Sequence, residues 1–280
     1  AKGSVIFGQR AAVLAKMATT SEKPRIFLIP QRSFMTPVPA PEYSKSNIFS
    51  IKIGEDFDSI KLSEQLINHG YIRVPRVTVR GEFALRGEVL DIFMPGEELA
   101  HRIVFDFDTI EQIKAFDAET QTSKASLKSL VIYPMKEVIW TDELVAKLIQ
   151  KSETFCNPVV GQDETGAIPV KNPELFKENF ENFTTELLIN HESDGEELFY
   201  PLVFDKKYSV LDYILDNSVI FYVDYDRLQN AQESFEREYS DSSKLRLLDC
   251  FLSLKNILYL LNFKMENFFV SGLYSCLVPF

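Results

Sequence analysis

The sequence predicts an α/β protein of the mixed α+β kind, with helices toward its two ends and a twisted, mostly antiparallel sheet between them. Two observations carry this. From residue 74 to residue 116, short runs rich in Val, Ile and Phe are separated by Gly81, Gly87 and Pro95-Gly96, the spacing of strands joined by tight turns. Further along, Phe176, Phe180, Phe183 and Leu187 recur at intervals of four, three and four, which is one face of a helix. A length of 280 residues with 45% apolar side chains is enough for two domains or one large one.

Residues 7–18 read as a helix with Ala12, Leu14 and Met17 as apolar positions. The run 25–30 is short, apolar and closed by Pro30, which suits a buried strand. Pro37, Pro39 and Pro41 then fall on alternate positions. Each fixes its own φ and moves the preceding residue out of the helical region, so this stretch is extended and is the best candidate boundary. Residues 47–53 alternate as a strand. Asp58 or Ser59 can cap a helix to Asn68, with Ile60, Leu66 and Ile67 expected inward and Gly70 as its stop. Strands are expected at 74–79, 82–86, 89–94, 102–107 and 110–116, a sheet of about four strands with one helix. Another runs from 130 to 133. Thr141 opens a helix to about Lys151, 157–170 is loop-like, and Asn172-Pro173 caps the aromatic helix. Residues 219–223 read as a buried strand, 225–239 and 252–261 as helices, and 268–270 as the start of a last strand.

Charge is unevenly spread. The chain holds 30 Lys+Arg and 41 Asp+Glu, a net charge of -11. Residues 1–40 are net +5, residues 41–150 net -5 and residues 151–280 net -11. The last segment repels a phosphate backbone, which argues against nucleic-acid binding by that face. No apolar run reaches the roughly 18 residues of a membrane span, and no charged-then-apolar signal opens the chain, so no membrane partner is expected. Cys156, Cys250 and Cys276 are odd in number and scattered, which suits a reducing cytoplasm and inert thiols. The start at Ala1-Lys2-Gly3 without Met reads as a piece of a longer protein.

No G-x-x-x-x-G-K-[ST] or G-x-G-x-x-G loop is present, so no nucleotide cofactor is expected in this segment. His69, His101 and His191 lack zinc-site spacing. Asp106, Asp108 and Glu111 have the carboxylate density of a metal-dependent nuclease; the plain alternative is a solvated turn. The most unusual feature is a run of arginines, Arg73, Arg76, Arg80 and Arg86, followed by Arg102. Arginine pairs bidentately with carboxylates and is enriched at interface hot spots. Five of them on one small sheet make a docking face for an acidic partner. The alternatives are pairing within the domain to Glu82, Glu88, Asp91 or Asp106, and DNA binding, which calls for more Lys and stacking aromatics.

Residues 80–96 (RGEFALRGEVLDIFMPG) and 102–123 (RIVFDFDTIEQIKAFDAETQTS) resemble domain 2 of UvrB and of the bacterial transcription-repair coupling factors. Both carry a strand of the form G-x-F-x-x-R-G-x-x-x-D/E-I-F-P, then R-x-x-F-F-x-D-x-I-x-x-I-x-x-F-D. Residues 195–224 are similar to the coupling-factor segment that follows this domain, and no helicase-type continuation of UvrB is seen. The resemblance implies a UvrB-like domain 1 remnant, residues 1–41 and 135–280, with a small α/β domain 2 inserted at 42–134. It implies that domain 2 binds UvrA through Arg86 and Arg102, with Arg80, Arg76, Phe105 and Asp106 beside them. Asp106 departs from the family's second Phe. The resemblance further implies a non-enzymatic, monomeric recruitment module with no cofactor or metal of its own. ATP, Mg, RNA polymerase and double-stranded DNA would be engaged by motor domains elsewhere in an ATP-dependent translocase, in which domain 2 is masked at rest.

Overall fold

The computed structural model describes residues 2–21, 24–30, 33–34, 36–156, 173–204, 206–215, 218–224, 227–228, 230, 234 and 275–278. The chain divides into two units, Ala1–Glu22 with Ala40–Ile139, and Lys23–Pro39 with Trp140–Phe280. Helices combined with mixed and antiparallel sheets make the mixed α+β class expected from the sequence.

In unit one, helix α1 (Lys2–Ala18) precedes α2 (Pro41–Ser46), β1 (Phe49–Lys52) and α3 (Ser59–Asn68). Then come β2 (Ile72–Arg73), β3 (Glu82–Arg86), β4 (Val89–Ile92), β5 (Ala100–Asp106), β6 (Thr109–Phe116), β7 (Ser123–Leu127) and β8 (Ser129–Ile132). Strands β2 to β7 form one six-stranded sheet in chain order, parallel only between β2 and β3. Strands β1 and β8 pair separately and antiparallel.

Local chemistry explains these elements. Asp58 caps α3, its carboxylate accepting from the backbone N–H of Ile60 and Lys61. The helix stops at Gly70, whose φ of +88° is open to glycine at little cost. There the N–H of Gly70 bonds the carbonyl of Ile67, and the N–H of Tyr71 bonds that of Leu66, a Schellman closure. The inward face of α3 is Leu62 and Leu66, both fully buried, whereas Ile60 and Ile67 are exposed, which corrects the inward placement of those two. Leu62 and Leu66 are four apart and share a face; Ile60 lies two residues from Leu62, about 200° around the helix.

The expected strand at 74–79 is not formed. Pro75 lacks a donor, and the Glu82 carboxylate captures the N–H groups of Thr78 and Val79 and the Thr78 hydroxyl at 2.8–3.0 Å. Partial burial opposes ionisation of Glu82, but these bonds win and hold its carboxyl below the usual range. In return the polar run Ser123–Leu127 forms an edge strand, exposed along most of its length.

The sheet has two covered faces. On one, Phe83, Leu90, Ile92, Ile103, Phe105 and Ile113 pack with Leu62, Leu66, Ile132 and α1 residues Ala12 and Ala15. On the other, Val77, Ala84, Phe93, Ala100, Phe116 and Ala118 form a smaller cluster. Helix α1 is fastened by ion pairs from Arg10 to Glu137 at 2.7 Å and from Lys16 to Glu97 at 3.0 Å. Glu97 also accepts from the Tyr133 hydroxyl at 2.8 Å.

Unit two contains α4 (Asp142–Cys156), α5 (Pro173–Asn190), a 3-10 turn (Glu196–Phe199), α6 (Tyr200–Val203), a second 3-10 turn (Val210–Tyr213), and the parallel pair β9 (Ile220–Val223) and β10 (Ser275–Val278). Thr141 opens α4 as expected, its hydroxyl accepting from Leu144 N–H. Phe180, Phe183 and Leu187 are buried, as the aromatic spacing predicted. Two expectations fail. Residues 25–30 form no strand, with Ile26 90% and Leu28 91% exposed. Strand β9 forms, but Phe221 and Val223 face solvent. In both cases apolar content suggested burial, yet no described strand or helix packs over these side chains. The expected loop at 157–170, the cap at Asn172, and the elements at 225–239, 252–261 and 268–270 lie wholly or largely outside the described residues.

Two stability outcomes follow from these contacts. Asp58→Ala removes the cap of α3 and should lower unfolding stability by about 1 kcal/mol in urea titrations followed by circular dichroism. Glu196 is buried and accepts from Ser193 N–H and the Tyr200 hydroxyl; burial pushes its carboxyl up to about 7 from 4.5. A raised carboxyl pKa gives stability that is full below about 4.5 and falls as pH rises toward 7. Unfolding monitored by Trp140 fluorescence should therefore show declining stability from pH 5 to pH 8, and Glu196→Gln should flatten that slope.

Candidate partner-binding face

The centre of the site is one carboxylate. Asp91 sits in β4 with its side chain 1% exposed. Three cross-strand pairings align Ala84, Asp91, Arg102 and Lys114 in a row on β3, β4, β5 and β6. Arg86, two residues beyond Ala84, projects from the same face, because side chains of a strand alternate with period two. Asp91 accepts from Arg86 Nη2 at 2.7 Å, from Arg102 Nε at 2.7 Å and from Arg102 Nη2 at 2.9 Å. An isolated carboxylate at that depth would cost several kcal/mol; the Arg102 fork and one Arg86 nitrogen supply the compensating bonds.

Arg102 is further placed by the Phe116 ring, 4.7 Å beneath its guanidinium carbon, and by Gln121 Oε1 at 3.3 Å. The hydrogen bonds and charge of Asp91 hold its guanidinium above the ordinary arginine range. Arg80 stacks over Phe93 at 5.0 Å and donates Nε to the Glu97 carbonyl at 2.7 Å. Arg76 reaches the Glu119 carbonyl at 3.5 Å. In that loop Asp117 accepts from Thr120 and Glu119 N–H, which lowers its carboxyl.

The arginines are therefore paired within the domain and still open to solvent. Arg86 keeps 48% of its side chain exposed and Arg102 27%. Asp91 cancels one positive charge of two, and Lys114 adds another in the same row, so this part of the face stays cationic. Arg86 commits one nitrogen to Asp91, while a guanidinium carries five N–H donors.

The structure separates two of the residues expected beside them. Phe105 is 2% exposed and belongs to the core on the opposite side of the sheet. It alternates with Arg102 and Val104 along β5 and cannot touch a partner at the arginine face, which corrects its assignment. Asp106 is exposed at the end of β5. The carboxylates Asp106, Asp108 and Glu111 do not converge: the β5–β6 register slips so that Glu111 falls outside the ladder, and among the described residues no three His, Cys, Asp or Glu side chains could hold a metal ion. No helix among the described residues is long and apolar enough to cross a membrane. The role of Asp91 as the hub went unsingled in the sequence, where it was one of four acids near the arginines. Its position opposite Arg102 is the signal that strand pairing reveals.

This sheet lies within a stretch that resembles a known module. Residues 49–138 match the family model of the UvrB interaction domain. Over that stretch the chain is similar to a UvrB interaction domain, and beyond it to transcription-repair-coupling factors. It is 30% identical to the transcription-repair-coupling factor of Borreliella burgdorferi over 201 residues, 71% of this chain and 16% of the relative. It is 28% identical to that of Bacillus subtilis over 235 residues, 83% of this chain and 19% of the relative. It is 30% identical to that of Haemophilus influenzae over 223 residues, 79% of this chain and 18% of the relative. The chain thus spans less than a fifth of the length of these three relatives, and the resemblance read from residues 80–96 and 102–123 is borne out.

The hub has a measurable coupling. In a double-mutant cycle of Asp91→Ala and Arg102→Ala, urea unfolding should return an interaction energy of about 1–3 kcal/mol. A coupling near zero would show that the pair is not maintained in solution.

Proposed function

We propose that unit one is a recruitment module that binds UvrA through the Arg86–Arg102 face during transcription-coupled nucleotide excision repair. The observation that carries this reading is the pair of solvent-open guanidiniums, Arg86 and Arg102, oriented by the buried Asp91 on a rigid sheet. A partner carboxylate arriving there meets donors whose geometry is already set, so little rotamer freedom is lost on binding. The family model and the relatives' names support the same direction. Arg80 and Arg76 widen the basic face, and Asp106 at its edge disfavours partner acids at that end.

On this reading the segment itself catalyses nothing and needs no cofactor. The longer protein is an ATP-dependent translocase acting on stalled RNA polymerase and double-stranded DNA in the cytoplasm, with ATP and Mg used outside this segment. The segment acts as a monomer.

The test is direct binding of purified UvrA to the whole chain. Arg86→Glu with Arg102→Glu, made together with Asp91→Asn so that no buried carboxylate is left facing unpaired acids, should abolish binding, since losing a hydrogen-bonded charged contact typically costs about 2–5 kcal/mol, while circular dichroism stays unchanged. Retained binding at both low and physiological salt would remove these residues from the interface.

A further inference from the structure

The tip of the β5–β6 hairpin carries a side chain with no role in the fold. Phe107 is 82% exposed, and its ring makes no hydrogen bond or ring contact among the described residues. Its backbone φ is +54°, a left-handed conformation that L-residues other than Gly, Asn and Asp rarely adopt. The β3–β4 hairpin of the same sheet shows the ordinary solution. Its turn is also two residues long, between paired Arg86 and Val89, and the positive φ of +59° falls on Gly87. At the corresponding turn position, between paired Asp106 and Thr109, the chain places a phenylalanine.

The tip is also stiff. Residues 54–57 form an extra rib against the hairpin base: Gly54 N–H donates to the Ile110 carbonyl, Ile110 N–H to the Glu55 carbonyl, and Phe57 N–H to the Asp108 carbonyl at 2.6–2.9 Å. The Thr109 hydroxyl donates to Asp56 at 2.8 Å. An exposed aromatic on a braced turn is preorganised for insertion, and aromatic anchors dominate interface energetics.

We infer that Phe107 is an anchor residue that inserts into an apolar pocket on the same partner that engages the arginine face. This inference rests on the proposed function and extends it. By strand spacing and rise, Phe107 lies about 14 Å from Arg86 along the backbone frame, well inside a standard interface patch of roughly 800 Å² per partner. Asp106 and Asp108 flank the ring, and Glu88 shares this end of the sheet through its carbonyl bond to Phe105 N–H. The complementary partner surface therefore has two parts: carboxylates opposite Arg86 and Arg102, and an apolar pocket rimmed by Lys or Arg for Phe107. Opposite charges in adjacent zones also fix the register of docking.

The experiment compares stability with affinity in the whole chain, using purified UvrA as the probe. Phe107→Gly and Phe107→Asn fit the left-handed turn and remove an exposed ring, so the melting temperature should hold or rise by a few degrees. Binding should weaken by about 10-fold or more, and Phe107→Trp should restore it to within about 3-fold. If both variants bind UvrA like the parent chain while Arg86→Glu with Arg102→Glu and Asp91→Asn does not, the anchor is refuted and the arginine reading stands. If the parent chain does not bind UvrA, both fall. A lowered melting temperature in both Phe107→Gly and Phe107→Asn would mark Phe107 as a structural residue and would also refute the anchor.

Discussion

A buried carboxylate in the middle of a sheet sets the terms for everything on that face. Strand interiors favour β-branched and aromatic residues, and an ionised group there must be fully bonded. Asp91 meets this demand by drawing Arg86 from one neighbouring strand and Arg102 from the other. The three side chains cross-link β3, β4 and β5, with Arg102 directly opposite Asp91 and Arg86 reaching it diagonally. A hydrophobic residue at position 91 could serve stability as well or better; what it could not do is orient two guanidinium groups with part of each still facing water.

The remainder of that face supports the same arrangement. The small apolar cluster of Val77, Ala84, Phe93, Ala100, Phe116 and Ala118 lies at one end of the sheet, and the ring of Phe116 props Arg102 from below. The loop after β6 is pinned by Asp117 and supplies Gln121 to the same guanidinium. Cationic side chains therefore stand on a layer of packed rings and methyl groups rather than on mobile stems, which distinguishes this surface from an ordinary scatter of exposed charge.

Much of unit one was legible in the sequence because its signals are local. Gly87 and Pro95-Gly96 punctuate the strands, Asp58 and Gly70 bracket α3, and the arginines stand out against an acidic background. What was illegible depends on tertiary partners. The expected strand at 74–79 lost to a side chain, Glu82, that outcompeted a neighbouring backbone for two amides. Strand β7 reads Ser-Lys-Ala-Ser-Leu, a polar run that becomes a strand only because β6 offers it a ladder. The family resemblance puts Phe105 beside the arginines, although a period of two sends it to the other side of the sheet. Residues 25–30 and 219–223 were read as buried from composition alone, and composition does not say what covers a side chain.

The core of unit one also draws on residues well upstream of residue 49, where the family match begins. Ala12 and Ala15 of α1 are part of the cluster that holds Met94, Tyr133 and Met135, and Gly96 and Gly8 let the helix come close: a Cβ at Gly96 would meet Ala12 Cβ at 3.3 Å, and one at Gly8 would meet Met135 Cε at 2.8 Å. The module's boundary in space therefore differs from its boundary along the gene. Exchange of the matched stretch between proteins would have to carry this distant helix with it, or else find a substitute, so inheritance of the sheet is tied to a segment outside the family match.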